Sequence, residues 1–152
     1  MKWGRSQSSA TKACTMLRDL GQERPLILVI DSEQEVLTEI GEVLREAGFG
    51  CCCCATAAEA TAAALASPPD LIVCDWNLHG EDGVATCRQI KRQPGLEGAP
   101  VMFLSGAQRP DVIRRAHVVD CGAYCLRKPF APNVLLELID QSLAVQGGVG
   151  ND

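Results

Sequence analysis

From Leu26 onward the chain alternates between short apolar runs and stretches whose apolar residues recur at three- and four-residue steps. Leu26 to Ile30 stops at Asp31, Leu71 to Cys74 stops at Asp75, and Val101 to Leu104 stops at Ser105. A strand with one wet face alternates apolar and polar side chains, so runs without a polar residue predict strands covered on both faces. Cys51 to Cys54 and Tyr124 to Arg127 read as two further strands, the last leading into Lys128-Pro129. Val36, Ile40, Val43, Leu44 and Ala47 mark a helix that Gly48 can stop. Ala57 to Ala66 favours helix until Ser67-Pro68-Pro69 breaks it. Val84, Cys87 and Ile90 mark a third helix, Pro110 opens a fourth carrying Val112, Ile113, Ala116 and Val119, and Val134 to Leu143 lines a fifth. Gly147 to Asp152 is expected to fray.

Parallel neighbours need crossovers, and right-handed crossovers put helices on both faces of a sheet. The pattern therefore predicts an α/β fold: a five-stranded parallel sheet, doubly wound with five helices. The 152 residues, 47% of them hydrophobic, suffice for one core and leave no length for a second domain. Residues 24–145 are the expected domain, with 1–23 an N-terminal tail or linker and 146–152 a C-terminal tail. A net charge of -5 with scattered basic residues argues against a sequence-independent grip on nucleic acid. No apolar run reaches the roughly 18 residues that a membrane span needs. The expectation is a cytoplasmic protein with neither nucleic acid nor membrane as partner.

The nine cysteines are an odd number at irregular spacing, a poor disulfide framework. Successive strand side chains point to opposite faces, so at most two of Cys51 to Cys54 can approach one ion from the same side. The run reads first as small apolar residues filling a buried strand in a reducing compartment, and second as a redox or metal site.

In open parallel sheets, sites lie outside the carboxyl ends of the strands. The polar residues there are Asp31, Asp75, Ser105 and Lys128. Two neighbouring carboxylates repel, and a divalent cation or a lysine relieves the repulsion. Mg²⁺ suits oxygen ligands and keeps positions open for a phosphoryl oxygen. A carboxylate can itself be the nucleophile toward phosphorus, while a metal, a lysine and a hydroxyl neutralise the equatorial oxygens.

With these residues in view, the sequence resembles the response-regulator receiver family over about residues 25 to 145, whose fold is flavodoxin-like. The matching segments are Pro69-Asp70 leading into LIVCD, Asp75-Trp76-Asn77-Leu78 with Asp82-Gly83 following, Ser105-Gly106-Ala107, and Lys128-Pro129-Phe130. The resemblance implies that Asp75 accepts a phosphoryl group, that Lys128 pairs with Asp75, and that Ser105 is the switch hydroxyl. It further implies Mg²⁺ held by Asp31, Asp75 and the backbone carbonyl of Asn77. The implied donor is a histidine kinase or a histidine phosphotransfer domain. The output protein is unknown, and a homodimer is one arrangement the family allows.

Departures from the family pattern cluster at the same rim. Ser32 stands where a second acid is usual, and a neutral hydroxyl is a weaker Mg²⁺ ligand than a carboxylate. Glu33 is one residue further and reads first as part of the first turn of the helix, where its charge favours the dipole, and second as an acid that reaches in as a direct metal ligand. His79 replaces a common proline and reads as a solvated loop residue. The aromatic usual three residues before the lysine is replaced by Cys125; Tyr124, one earlier, is either the switch aromatic or a packing residue. Asp82-Gly83 reads as a turn and helix start. Arg109, Arg114, Arg115 and Arg127 read first as a solvated surface and second as a partner patch.

Two functions follow. One is a working receiver, acting through a partner or excised from a hybrid kinase, that is no enzyme beyond its self-catalysed phosphotransfer and dephosphorylation. The other is a pseudo-receiver that binds protein with impaired Mg²⁺-dependent phosphorylation, which Ser32 favours. An unrelated flavodoxin-like enzyme is a third class, but the chain has no nucleophile elbow, no phosphate-cradling glycine loop and no HExxH.

Overall fold

The computed structural model describes residues 24–106 and 124–151. In chain order the elements are β1 (Leu26–Ile30), α1 (Gln34–Glu46), β2 (Gly50–Cys54), α2 (Ala57–Ala66) and β3 (Leu71–Asp75). They continue as β4 (Asn77–Leu78), β5 (Glu81–Asp82), α3 (Gly83–Lys91), β6 (Val101–Ser105), β7 (Tyr124–Arg127) and α4 (Pro132–Asn151). The main sheet is parallel, in the order β2-β1-β3-β6-β7.

Every residue of β1, β3 and β6 is buried, as the unbroken apolar runs predict. Alternate residues enter two separate cores. Ile27, Val29, Val73, Met102 and Leu104 pack with Leu37, Ile40 and Leu44 of α1 and with Leu135 and Ile139 of α4. Leu28, Ile30, Ile72 and Phe103 pack on the opposite face with Ala60, Ala63 and Ala64 of α2 and with Val84, Cys87 and Ile90 of α3. The small residues of α2 let that helix lie close to the sheet. Its first turn is fixed by a reciprocal cap in which Thr56 accepts from Glu59 N and Glu59 accepts from Ala55 N.

Connections from β1 run to β2 on one side, and from β3 to β6 and β7 on the other. The reversal between β1 and β3 opens the crevice where a doubly wound sheet binds its ligand. Asp31 follows the end of β1, and Asp75 ends β3.

Several details differ from the sequence expectation. A small antiparallel hairpin, β4 with β5, follows β3. Its two-residue loop is His79-Gly80, with φ of 50° and 88°, the left-handed geometry that closes a tight hairpin. α4 continues to Asn151, past the expected frayed end, since glycine inside a helix weakens it by about 1 kcal/mol without ending it. The helix expected from Pro110, the segment 1–23, and Arg109, Arg114 and Arg115 lie outside the described residues. Four helices stand among the described residues, and the doubly wound fold is the one expected.

Candidate functional site

Asp70, at the opposite end of the sheet, shows how the strands are aligned. Its carboxylate accepts from Leu26 N at 2.7 Å, while its own N–H donates to Leu26 O at 2.8 Å, which locks β1 to β3. The register then places Ile30 beside Cys74, with Asp31 and Asp75 next along the chain. Asp31 is fully buried. Its N–H donates to Cys54 O at 3.1 Å, and its Oδ1 accepts from Glu33 N at 2.9 Å.

Lys128 reaches this point from the far side of the sheet. β6 and β7 pair with Ser105 opposite Arg127, and Lys128 N donates to Ser105 O at 2.8 Å. The ammonium then lies 2.7 Å from Asp31 Oδ2, 3.1 Å from Glu33 Oε1 and 3.4 Å from Asp75 Oδ2. Ser105 is buried at the same rim. Asp31, Asp75, Ser105 and Lys128 therefore converge as the strand ends predict.

Glu33 joins the cluster, the second of its two expected places. It occupies the N-cap position in extended conformation, φ -92° and ψ 114°, so its side chain leaves the helix instead of lying along its first turn. The signal for it is the vacancy at Ser32: with no acid there, the next acid in the chain stands one residue nearer the helix. One carboxylate oxygen each from Asp31, Glu33 and Asp75 lie within 4.8 Å of one another. Asp31 Oδ2 is buried and accepts no well-aligned hydrogen bond, so the ammonium contact is its compensation. A cluster of three hard carboxylate donors fits a divalent cation such as Mg²⁺.

Gly83 also has a function that its reading as a helix start did not anticipate. α3 begins against the backbone of the acceptor segment, Gly83 N donating to Trp76 O at 2.9 Å. A Cβ at this position would overlap the carbonyl oxygen of Asp75 and stand 2.9 Å from that of Trp76. Asp82 closes the turn, its Oδ1 accepting from Val84 N at 2.9 Å. Asn77 opens the hairpin, and its Oδ1 accepts from Gly80 N at 3.0 Å. Trp76 packs edge-on against Phe103, with ring centroids 5.6 Å apart. His79 is exposed on the loop. Tyr124 is half-buried and packs into the core layer beneath α1 and α4, whereas Cys125 packs into the other layer.

The electrostatics follow from this geometry. Burial, then the neighbouring Asp31, hold the Asp75 carboxyl above its usual range, against the opposing pull of Lys128 and the Asn77 backbone amide. Burial acts to lower the Lys128 ammonium, but its close contacts with Asp31 and Glu33 and the charges of Asp31 and Asp75 outweigh it and raise it. Three carboxylates against one ammonium leave negative charge for a cation to balance.

The profile of one protein family, described as the response regulator receiver domain, matches residues 27–140. The chain is 30% identical over 110 residues to the phosphate regulon transcriptional regulatory protein PhoB of Pseudomonas aeruginosa, a match covering 72% of this chain and 48% of that protein. It is 29% identical over 116 residues to the chemotaxis protein CheY of the same organism, covering 76% of this chain and 93% of that one. The chain thus spans about half the length of its PhoB relative. Among solved structures, the Vibrio cholerae chemotaxis protein CheY4 superposes with a TM-score of 0.75 at 23% identity, covering 79% of this chain and 99% of that one. The signal receiver domain of a signal transduction histidine kinase from Syntrophus aciditrophicus gives 0.67 at 28% identity, covering 79% and 90%.

Proposed function

The chain belongs to the response regulator receiver family, and on that premise we propose that Asp75 accepts a phosphoryl group from a phosphohistidine on a histidine kinase or histidine phosphotransfer domain. The signal passes on through a change of shape and the binding of an output protein. The observation that carries this reading is the Lys128 ammonium 3.4 Å from the Asp75 carboxylate, at a rim shared with Asp31, Glu33 and Ser105.

In the transfer, an Asp75 oxygen attacks phosphorus; the new P–O bond forms as the donor's P–N bond breaks, and the electron pair leaves on the imidazole nitrogen. Lys128 holds positive charge beside the phosphoryl oxygens, and Ser105 donates its hydroxyl to one of them. Asp31, Glu33, Asp75 and the Asn77 carbonyl are the groups that would hold Mg²⁺, which when bound neutralises charge on the transferring phosphoryl. Aspartyl phosphate hydrolyses, so the signal resets.

Ser32 favours a second reading, a pseudo-receiver that binds its partner without phosphorylation. Beryllofluoride, which mimics an aspartyl phosphate, separates the two when added with Mg²⁺ and followed by chemical shifts. A working receiver shows shifts around Asp75, Ser105 and Lys128 that Asp75→Asn abolishes; silence at high Mg²⁺ assigns the chain to the pseudo-receiver class.

A further inference from the structure

We propose that Cys51 is a reactive thiolate, held by the guanidinium of Arg45 and the thiol of Cys53, and that it is S-thiolated by small disulfides. The acceptor site makes no use of this cluster, which lies on the opposite side of β2 from Cys52 and Cys54. β2 is the terminal strand of the sheet, and its four cysteines divide by the strand period. Cys52 and Cys54 are buried beneath α2, whereas Cys51 and Cys53 are half-buried on the face that α1 covers.

Arg45, in the last turn of α1, places Nη1 3.4 Å from Cys51 Sγ. Gly41, one helical turn earlier, leaves the space for it: a Cβ there would stand 3.2 Å from the same nitrogen. The partner strand offers only the apolar Ile27 at this register. The groups that lower Cys51 are Cys53 from its own strand and Arg45 from α1, and its sulfur also lies 3.9 Å from Gly41 O. A guanidinium over the sulfur repels a metal cation and stabilises an anion, which favours a nucleophile over a metal site.

The two thiols are driven apart. The hydrogen bond from Cys53, with the charge of Arg45 adding to it and burial opposing, brings Cys51 down to about 6. The same hydrogen bond and burial push Cys53 well up, so it keeps its proton; that thiol also lies 3.8 Å from Leu37 O. In the reaction, the Cys51 thiolate attacks one sulfur of the disulfide. A new S–S bond forms, the old one breaks, and the second half leaves as a thiolate. The disulfide is itself the oxidant. An internal Cys51–Cys53 bridge is disfavoured, since alternate strand residues are about 6.6 Å apart, near the upper limit for a disulfide.

The test uses the whole chain with limiting iodoacetamide from pH 6 to 9, the labelled cysteine being identified by peptide mass spectrometry and N-acetylcysteine serving as reference. At pH 6 the larger thiolate fraction, reduced by its lower intrinsic nucleophilicity, gives Cys51 a rate roughly tenfold above an ordinary thiol. That rate flattens above pH 7 while the reference keeps rising. Arg45→Gln and, independently, Cys53→Ala shift the profile to higher pH, so the loss of one variant to misfolding leaves the other decisive. Glutathione disulfide then adds one glutathionyl group, on Cys51. A Cys51 profile that tracks the reference, or glutathionylation that prefers another cysteine, overturns the proposal.

Discussion

The Lys128 ammonium lies closer to Asp31, at 2.7 Å, than to Asp75, at 3.4 Å. The lysine is anchored on the buried acid of the β1 end and leans toward the acceptor from there. Glu33, at 3.1 Å, is the second anchor.

Lys128→Ala leaves the buried Asp31 without its counter-ion, and breaking a buried pair costs about 3–5 kcal/mol. Glu33 is 62% exposed, so Glu33→Gln costs no more than about 1 kcal/mol. Urea denaturation of both variants checks the order. Equal losses would mean that Asp31 does not depend on the lysine.

The raised positions of Asp75 and Lys128 both make stability fall as pH rises, in separate pH windows. Lys128 binds its proton more tightly in the fold, so its contribution is complete below the unfolded lysine value near 10.4 and disappears as pH rises through the folded one. For Asp75 the folded state also favours the proton, so ionisation removes stability as pH rises from about 3.9 through the folded value. Asp75→Asn therefore melts at a higher temperature than the parent at pH 7 without Mg²⁺, and the gain shrinks toward pH 4. A gain that is flat with pH would remove ionisation of Asp75 as its cause.

Gly83→Ala forces a methyl group onto the backbone of Asp75 and Trp76. Overpacking of this kind costs about 1–3 kcal/mol. Because the clash falls on the acceptor segment, the variant also takes up beryllofluoride less well, measured at a temperature where it remains folded. Full uptake with normal stability would show that α3 can move away freely.

The fold was legible because its strands are buried on both faces: Leu26 to Ile30 and Leu71 to Cys74 contain no polar residue to suggest otherwise. The site was legible for the same reason, since Asp31, Asp75 and Ser105 are the first polar groups after such runs. Glu33 was legible only as a second reading, because one residue decides whether a side chain lies along a first helical turn or projects from the cap, and sequence leaves boundaries uncertain at that scale. Gly83 was legible only as a turn residue; its closeness to Asp75 depends on the α3 packing angle. The split of the cysteine run into two faces follows from strand period alone, but the reach of Arg45 over Gly41 needs the tertiary arrangement.

The missing acid at Ser32 makes a prediction about the cation. Glu33→Gln weakens Mg²⁺ binding, and Ser32→Asp tightens it, each on the order of tenfold, or about 1.4 kcal/mol. Titration followed by the fluorescence of Trp76, the neighbour of Asp75, reads both. If Ser32→Asp binds Mg²⁺ and the parent does not, Glu33 fails to replace the absent carboxylate.

The central claim is that Asp75 accepts the phosphoryl group, and intact-mass measurement after incubation with acetyl phosphate and Mg²⁺ tests it most directly. The account predicts one added phosphoryl group, carried on Asp75, absent in Asp75→Asn and reduced in Lys128→Ala. An unmodified parent at high Mg²⁺, or a modification that survives Asp75→Asn, would contradict it.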